Sequence, residues 1–201
     1  MPNKPLLLGI TGSIGSGKST VCQLFSVLGI PVYNADDRAK WLVANDLKIR
    51  SAIFAIFGAE AFISGVYNKA FIASIVFQAP DKLKQLNDII HPAVGRDFEQ
   101  WVQSYEYNYP YLIKEAALLF DSISGNKLDY ITVVHAPKEL RIKRVLERDP
   151  QRRESQIQNI IANQMSQDEM MKKADFLIDN SGEILLIPQI VAINSSILLS
   201  I

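Results

Sequence analysis

Near the amino terminus the hydrophobic pattern changes its period twice before residue 37. The apolar run LLLGIT predicts a buried strand. The next segment, STVCQLFSVLG, predicts a helix whose apolar face is formed by Val21, Leu24, Phe25 and Leu28. Gly29 supplies a carboxyl cap for this helix, and IPVYNAD predicts a second short strand that ends in an acidic residue. A strand, a helix and a strand over this length predict a right-handed parallel crossover.

Between residues 37 and 105 the apolar positions recur at helical spacing, in the segments LKIRSAIFAIFG, DKLKQLNDII and FEQWVQSY. Beyond this stretch, YLIKEAALLF, YITVVHA and DFLIDN predict three buried strands. PKELRIKRVLER predicts a basic helix with Pro137 in its first turn, and SQIQNIIANQMSQDEMMKKA predicts another helix. This alternation is typical of an α/β fold, with a mostly parallel sheet flanked by helices. We therefore expect a single domain, residues 1–201, that carries a helical insertion at residues 37–105.

The composition supports one globular domain and excludes several classes of partner. Of the 201 residues, 48% are hydrophobic, and Lys plus Arg equal Asp plus Glu at 21 each. Without a net charge the protein has no general attraction to nucleic acid or to acidic membranes, so any anion site must be local. The one cysteine, Cys22, excludes an internal disulfide and suits a cytoplasmic location. The composition does not indicate an oligomeric state.

Both termini contain apolar residues, but neither matches a membrane segment. The apolar run in MPNKPLLLGI is too short for a secretory signal. In the carboxyl-terminal segment ILLIPQIVAINSSILLSI a proline and several polar residues interrupt the apolar pattern, whereas a tail anchor needs about twenty apolar residues in succession. We therefore expect this segment to be a helix or a strand that packs on the core.

A glycine-rich loop follows the first predicted strand and matches the Walker A pattern G-x-x-x-x-G-K-[ST]. Glycines let the backbone adopt positive φ angles and approach phosphates closely. The N–H groups of such a loop and the amino end of the next helix point at the anion. Lys18 would neutralise β- and γ-phosphate oxygens, and the hydroxyl of Ser19 would bind Mg²⁺. The candidate nucleotide-binding residues are Gly12, Ser13, Ile14, Gly15, Ser16, Gly17, Lys18, Ser19 and Thr20.

A second motif is typical of another class of nucleotide-binding protein. The residues NKLD at positions 126–129 satisfy the N-K-x-D pattern with which GTPases recognise guanine. In GTPases this motif ends a buried strand, whereas here it follows a predicted loop and precedes the strand YITVVHA. No D-x-x-G switch motif occurs where the sensor of the third phosphate should be. We therefore interpret NKLD as a turn, and a nucleotide-dependent switch remains the alternative of another class.

Two features beyond the loop are those that a kinase needs, an acid near the acceptor hydroxyl and arginines near the transferred phosphate. Asp36 ends the second predicted strand, so we expect it at the carboxyl edge of the sheet beside the loop; the alternative role is a helix cap. Arg141, Arg144 and Arg148 align on one face of the basic helix. We interpret residues 137–165 as a lid that closes over ATP; the alternative is a solvated, charged surface.

Together these segments resemble the dephospho-coenzyme A kinases along nearly the whole chain. LGIPVYNADDRAK is similar to the family's acidic strand end, in which the second Asp of a D-A-D pattern is the base, here Asp36. LNDIIHPAV resembles the L-N-x-x-x-H-P segment and contains His91, before a proline at a helix break. EAALLFD resembles the P-L-L-F-E strand, and APKELRIKRVLERD resembles the lid helix. ANQ and KADFLIDNSG resemble the nucleotide-side elements and supply Gln164, Asp175 and Asn180.

The sequence departs from the family pattern at five positions. Where the family commonly has Asp, Arg, Pro, Gln and Glu, this sequence has Asn34, Lys40, Ala117, Arg141 and Asp121, respectively. None of these changes removes the loop, Asp36 or Arg144. We expect them to bear on acceptor recognition more than on the type of reaction.

The resemblance implies ATP and Mg²⁺ as cofactors, and transfer of the γ-phosphoryl group to the 3′-hydroxyl of dephospho-coenzyme A, the last step of coenzyme A synthesis. It implies catalytic roles for Asp36, Lys18 and Arg144, and nucleotide binding by Arg148 and Asn180. Asp36 would also bind the acceptor, together with the helical insertion at residues 37–105, and His91 is catalytic, substrate-binding or structural. The alternative within the kinases is a small P-loop enzyme that acts on a nucleoside monophosphate or a hydroxylated metabolite.

Overall fold

The structure is a computed structural model that describes residues 4–105, 108–120 and 128–201. Within these residues five strands form one sheet in the order β2-β5-β1-β6-β7, and every neighbouring pair is parallel. The strands are β1 (Leu6–Thr11), β2 (Val32–Asn34), β5 (Tyr111–Glu115), β6 (Tyr130–His135) and β7 (Phe176–Asp179). The predicted α/β fold with a parallel sheet is confirmed.

Five helices belong to the same compact unit as the sheet, which comprises the described parts of residues 1–34, 104–122 and 127–201. They are α1 (Lys18–Val27), α6 (Lys138–Arg148), α7 (Glu154–Ala162), α8 (Gln167–Lys172) and α9 (Leu186–Leu199). Side chains from β1, α1 and α9, such as Ile10, Phe25 and Ile193, form one buried core. Successive residues of β1 and β5 are buried, instead of every second one, as is typical of a parallel sheet that is covered on both faces, although β5 ends with the polar residues Lys114 and Glu115.

The carboxyl-terminal segment forms helix α9 and packs on this core, as its interrupted apolar pattern predicts. Ile190, Ile193 and Ile197 recur at helical spacing and are buried. The side-chain amide of Gln189 bonds both backbone groups of Asp179, accepting from the N–H at 2.8 Å and donating to the C=O at 2.9 Å. None of the helices in the described residues is long and apolar enough to cross a membrane.

A second compact unit contains residues 35–103 and has a core of its own. Its helices are α2 (Ala35–Asn45), α3 (Leu47–Phe57), α4 (Lys69–Val76) and α5 (Pro80–Ser104), and between α3 and α4 lie a short 3₁₀ turn (Ala59–Ala61) and a hairpin of β3 (Phe62–Ile63) and β4 (Val66–Tyr67). Asp46 caps α3 by accepting hydrogen bonds from two backbone N–H groups, and Gly58 ends it with a positive φ of 79°. The hairpin is too short to give an alternating pattern, and the sequence did not predict it.

The predicted helix break between His91 and Pro92 is wrong. Helix α5 continues through Pro92, although a proline inside a helix removes one backbone hydrogen bond. The buried residues Ala93 and Phe98 continue the apolar face beyond the proline, and their packing keeps the helix in one piece.

Several element ends differ from the sequence predictions. Strand β2 ends at Asn34, and Asp36 lies in the first turn of α2, where an acid is favoured by the helix dipole. Strand β5 ends at Glu115, because residues 117–120 form turns. The segment after α6 forms two helices, since Ser166 and Glu169 make a capping box that starts α8.

Two helix caps also differ from the sequence predictions. Leu28 is exposed and caps the carboxyl end of α1, and Pro137 precedes α6 instead of occupying its first turn.

The acid of the NKLD motif lies at the sheet edge opposite the glycine loop. Asn126 and Lys127 are outside the described residues. Asp129 accepts a hydrogen bond from the N–H of Leu7 at 2.7 Å and donates its own N–H to the C=O of Leu7 at 2.8 Å. Leu7 is near the start of β1, whereas the glycine loop follows its end. Asp129 therefore joins the start of β6 to the amino end of β1, where it cannot contact a base bound at the carboxyl end of the sheet.

Replacing Asp129 should separate these two interpretations. In Asp129→Ala the part-buried N–H of Leu7 loses its side-chain acceptor, so we expect the free energy of unfolding in urea to fall by about 1–3 kcal/mol. Asp129→Asn keeps an acceptor oxygen and should retain most of the stability. ATP affinity and the preference for ATP over GTP should be unchanged in both variants; a change in base preference would restore the guanine-reading interpretation.

Candidate nucleotide-binding site

The glycine loop runs from the end of β1 to the start of α1 and is packed too tightly for side chains at its glycines. Gly12, Gly15 and Gly17 have φ angles of 149°, 78° and 96°, in the left-handed region. A Cβ atom at these positions would collide with the C=O of Val134, the C=O of Arg141 and the amide of Asn180, respectively. Glycine is therefore required here by both the backbone conformation and the close approach of neighbouring segments.

Side chains from three segments hold the loop in place by hydrogen bonds to its backbone. The ammonium group of Lys18 donates to the C=O of Gly12 at 2.9 Å, and the amide of Asn180, just after β7, donates to the C=O of Ser16 at 2.7 Å. The side-chain oxygen of Gln164, just after α7, accepts from the N–H of Ile14 at 3.1 Å. Gln164 and Asn180 therefore lie at the loop, as the resemblance implies.

Two backbone N–H groups of the loop have acceptors within the protein. The N–H of Ile14 is bonded to Gln164, and the N–H of Ser16 closes a turn on the C=O of Ser13 at 3.1 Å. The first turn of α1 adds backbone N–H groups that have no acceptor within the helix and are open to an anion. Ser19 and Thr20, in that turn, have exposed side chains.

Two arginines of α6 present nitrogen atoms suited to an anion. Arg141 is buried, its backbone packs on Gly15, and its Nε donates to the C=O of Ala136 at 3.1 Å. The Nη1 atoms of Arg141 and Arg144, like the hydroxyl of Ser16, are buried and have no hydrogen-bond partner in the described part of the protein. Burial also lowers the pKa of Arg141. Buried donors without acceptors are rare, and bound phosphate oxygens would satisfy them.

The three arginines of α6 therefore differ in environment, although they share one helix. Arg141 is buried, Arg144 is half-buried, and Arg148, at the carboxyl end of the helix, is exposed. The alternative interpretation of α6 as a solvated, charged surface therefore does not apply to Arg141 and Arg144, which are at least half-buried.

Glu115 is a site residue that the sequence analysis missed. It ends β5, only 7% of its surface is exposed, and its two oxygens accept from the hydroxyl of Ser19 at 3.2 Å and from the amide of Asn34 at 2.8 Å. Burial, and then the negative charge of Glu115, raise the pKa of the neighbouring Cys22 thiol, so that this thiol stays protonated. The sequence contained a signal for Glu115, namely an acidic residue at the end of an apolar strand, and the same signal predicted the role of Asp36. The hydroxyl of Ser19 and the carboxylate of Glu115 are a donor set that suits Mg²⁺.

Asp175 does not belong to this site. It precedes β7, where its carboxylate accepts from the N–H of Ile131 at 2.7 Å and its own N–H donates to the C=O of Ile131 at 2.9 Å. These bonds repeat the arrangement of Asp129 and Leu7, at the amino edge of the sheet. The nucleotide-side role that the resemblance implies for Asp175 is wrong.

Asp36 and His91 lie in the second unit. Asp36 is exposed in the first turn of α2, beside Asp37, whose hydrogen bond with Lys40 at 2.7 Å raises the pKa of Lys40. His91 is exposed on α5. Their roles toward an acceptor stay predictions.

Three comparisons relate this chain to known proteins. The family model described as dephospho-CoA kinase matches residues 6–185. A dephospho-CoA kinase from Bacteroides fragilis is 42% identical over 183 residues, which are 91% of this chain and 88% of that protein.

Two solved structures extend the likeness to the fold. The protein TT1252 from Thermus thermophilus has a TM-score of 0.86 at 29% identity, over 96% of this chain and 98% of the other. A dephospho-CoA kinase from Campylobacter jejuni has a TM-score of 0.68 at 25% identity, over 95% and 96% of the two chains.

The close packing of the loop can be tested with a matched pair of glycines. Gly15 and Gly29 both have positive φ, 78° and 84°, but a Cβ at Gly29 would meet nothing within 4 Å. Gly29→Ala should therefore cost only the backbone strain, about 1–2 kcal/mol in the free energy of unfolding, and leave ATP binding unchanged. Gly15→Ala must in addition displace the backbone at Arg141.

For Gly15→Ala we expect ATP affinity, measured by calorimetry, to fall by about tenfold or more, the equivalent of one lost charge-assisted hydrogen bond. Equal ATP affinity in the two variants would contradict the requirement for close packing.

Proposed function

The chain belongs to the dephospho-CoA kinase family, and on this basis we propose that it transfers the γ-phosphoryl group of ATP to the 3′-hydroxyl of dephospho-CoA and so forms CoA. The observation that carries the proposal is the loop between β1 and α1, whose three tightly packed glycines bring backbone N–H groups to a single edge of the sheet. That edge, at the carboxyl ends of parallel strands, is where open α/β sheets bind ligands.

We infer that charge neutralisation and positioning supply most of the catalysis. The transition state of phosphoryl transfer is loose, so the protein has mainly to hold the nucleotide and to stabilise the charge on the transferred group. Lys18 donates to the carbonyl oxygen of Gly12 in its own loop, and its ammonium can move from that acceptor to β- and γ-phosphate oxygens. The buried, unpartnered Nη1 of Arg144 supports a contact with the transferred phosphate.

Arg141 adds a second buried guanidinium nitrogen beside the loop, at a position where the family commonly has glutamine. Asn180 would bind the nucleotide indirectly, because its amide already orients the C=O of Ser16. Arg148 is exposed, so a contact with the nucleotide requires the part of residues 137–165 beyond the backbone contact of Arg141 with Gly15 to close as a lid over ATP.

We propose Asp36 as the general base. A carboxylate that orients the ribose hydroxyl and accepts its proton typically contributes ~10²–10⁴-fold to the rate. Asp36 lies two residues after the end of β2, a strand that ends at the same sheet edge as the glycine loop, and the side chain of Asp36 is exposed. The insertion at residues 37–105 would bind the remainder of the acceptor, with His91 as one exposed contact.

Mg²⁺ would be held by the hydroxyl of Ser19 and the carboxylate of Glu115 together with phosphate oxygens, as is common for this ion. When bound, it neutralises charge on the β- and γ-phosphates. The hydrogen bond from Ser19 to Glu115 leaves the lone pairs of the Ser19 oxygen for a cation. A cytoplasmic location, suited to the single protonated thiol of Cys22, is part of the same proposal.

The proposed activity can be tested with a panel of acceptors. Purified protein with ATP and Mg²⁺ should phosphorylate dephospho-CoA at its 3′-hydroxyl, with a kcat/KM well above those for nucleoside monophosphates, gluconate and shikimate. Product identity is read by mass spectrometry and ³¹P NMR. Preference for another acceptor would reject the substrate but retain the kinase, whereas a clear preference for GTP without phosphoryl transfer would favour a nucleotide-dependent switch.

The role of Asp36 can be tested against its neighbour. Asp36→Asn and Asp37→Asn each remove one exposed acid from the first turn of α2, so their effects on the helix dipole are matched. We expect Asp36→Asn to lower kcat by ~10²-fold or more and to leave the Kd for ATP unchanged, because a base acts on the acceptor. Asp37→Asn should stay near the wild-type rate. Similar rates in the two variants would show that Asp36 is not the base.

A further inference from the structure

The indole of Trp41, in the second unit, lies against a guanidinium group of the same helix. Trp41 is on α2 and is 50% exposed. The Cζ atom of Arg38, three residues earlier, lies 4.5 Å from the centre of the indole ring. Side chains at this spacing are neighbours on a helix, and a guanidinium over an indole is a favourable cation–π contact.

An ion pair fixes this guanidinium to helix α5. The Nε of Arg38 donates to Oδ2 of Asp97 at 2.9 Å, and Nη2 donates to Oδ1 at 2.5 Å. The Asp97 side chain is only 15% exposed. Two parallel bonds fix the plane of a guanidinium as well as its position, and a fixed guanidinium limits the rotamers of the indole that lies against it. The ring of Trp41 is therefore ordered before a ligand arrives, which lowers the entropy lost on binding.

An ordered and half-exposed indole suits a planar ligand. A single exposed hydrophobic residue needs no explanation by itself, but most such residues are not held by a charged pair from a second helix. The guanidinium covers one face of the ring, so the opposite face is the one left for stacking. Nucleobases stack on aromatic side chains in this way, and adenine is the only aromatic ring of dephospho-CoA.

The position of Trp41 on α2 relates it to the proposed base. Asp36 lies five residues earlier, about 7.5 Å along the helix axis. Side chains of a helix tilt toward its amino end, so the indole covers the preceding turn, in agreement with its contact with Arg38. In dephospho-CoA the adenine and the 3′-hydroxyl belong to one ribose. A hydroxyl bound at Asp36 therefore brings the base of the same nucleoside close to this turn.

We propose that Trp41 is a specificity-determining residue that stacks on the adenine of the acceptor, and that Arg38 and Asp97 are positioning residues for its ring. The proposal rests on the function proposed above, in which Asp36 accepts the proton of the 3′-hydroxyl. ATP carries an adenine as well, but the base of the acceptor is the one that shares a ribose with the hydroxyl at Asp36.

Stacking can be followed by fluorescence, because the sequence has only two tryptophans, Trp41 and Trp101. In Trp101→Phe the indole emission comes from Trp41 alone, and in Trp41→Phe it comes from Trp101 alone. We expect dephospho-CoA to quench the emission of Trp101→Phe in a saturable titration and to leave that of Trp41→Phe unchanged. Two probes, 4′-phosphopantetheine, which lacks the base, and ADP, which carries the base of the nucleotide, should not quench Trp101→Phe.

Steady-state kinetics test the same contact by its effect on substrate affinity. For Trp41→Ala we expect the KM for dephospho-CoA to rise by about tenfold or more, because one stacked base is lost. The kcat and the KM for ATP should be unchanged, since stacking binds the ground state and the transition state equally. Trp41→Phe keeps an aromatic ring and should show a smaller rise. Phe54, on α3, is 53% exposed, so Phe54→Ala is a matched control that should keep the wild-type KM.

A double-mutant cycle tests the positioning of the ring. Asp97→Asn keeps the size of the side chain but removes its charge, so we expect the KM for dephospho-CoA to rise by about threefold in the wild-type background. In the Trp41→Ala background the same change should have no further effect on KM, because the ring that it positions is absent. Thermal midpoints of all variants show which remain folded at the assay temperature.

Three results would overturn the proposal. Trp41 does not bind the acceptor's base if Trp41→Ala and Phe54→Ala have the same KM, or if dephospho-CoA leaves the emission of Trp101→Phe unchanged. Equal quenching by ADP would assign the ring to the nucleotide's base instead. In each of these cases phosphorylation of dephospho-CoA by the wild type leaves the proposed function standing. A wild type that does not phosphorylate dephospho-CoA would reject the proposed function and the role of Trp41 together.

Discussion

The structure depends on the close approach of two backbone carbonyl groups and one side-chain amide to the loop between β1 and α1. At Gly12, Gly15 and Gly17 there is no room for a Cβ atom, because β6, α6 and the residue after β7 already occupy that space. This packing fixes the loop before any nucleotide arrives, so the entropy of ordering it is lost on folding and not on binding. The same contacts explain why the residues around the loop are fixed as well: Arg141 and Asn180 cannot move without moving the glycines.

The parallel sheet gathers the remaining site residues at one edge. Parallel strands all end on the same side, so their last residues or immediate successors are neighbours in space. In this sheet those positions are Gly12, Asn34, Glu115, Ala136 and Asn180. They supply a phosphate loop, a buried carboxylate with its amide partner, the acceptor for Arg141, and the amide that orients Ser16. Residues distant in the sequence thus form one site because of strand direction alone.

Sequence patterns predicted the five strands of the parallel sheet, most helices and the loop, because each of these has a strong local signal. They failed where tertiary packing decides: α5 continues through Pro92, and the β3–β4 hairpin is too short to alternate. Within the site, Lys18 and Ser19 follow from a motif, but Glu115 does not. Its role depends on the Ser19 hydroxyl and the Asn34 amide, which reach it only through strand pairing across β2, β5 and β1.

Whether an acidic residue lies before or after a strand decides its role in this sheet. Asp129 and Asp175 each precede a strand, and each bonds the backbone of the neighbouring strand, at Leu7 and Ile131. The carboxylates of these acids accept hydrogen bonds from backbone N–H groups at the amino edge of the sheet and so stabilise that edge. Glu115 instead follows its strand, where parallel neighbours end together and side chains, not backbone groups, meet it. In this sheet an acid before a strand therefore has a structural role, whereas an acid after a strand is available for chemistry. Once the strands are known to be parallel, the order of residues in the sequence is enough to distinguish the two cases.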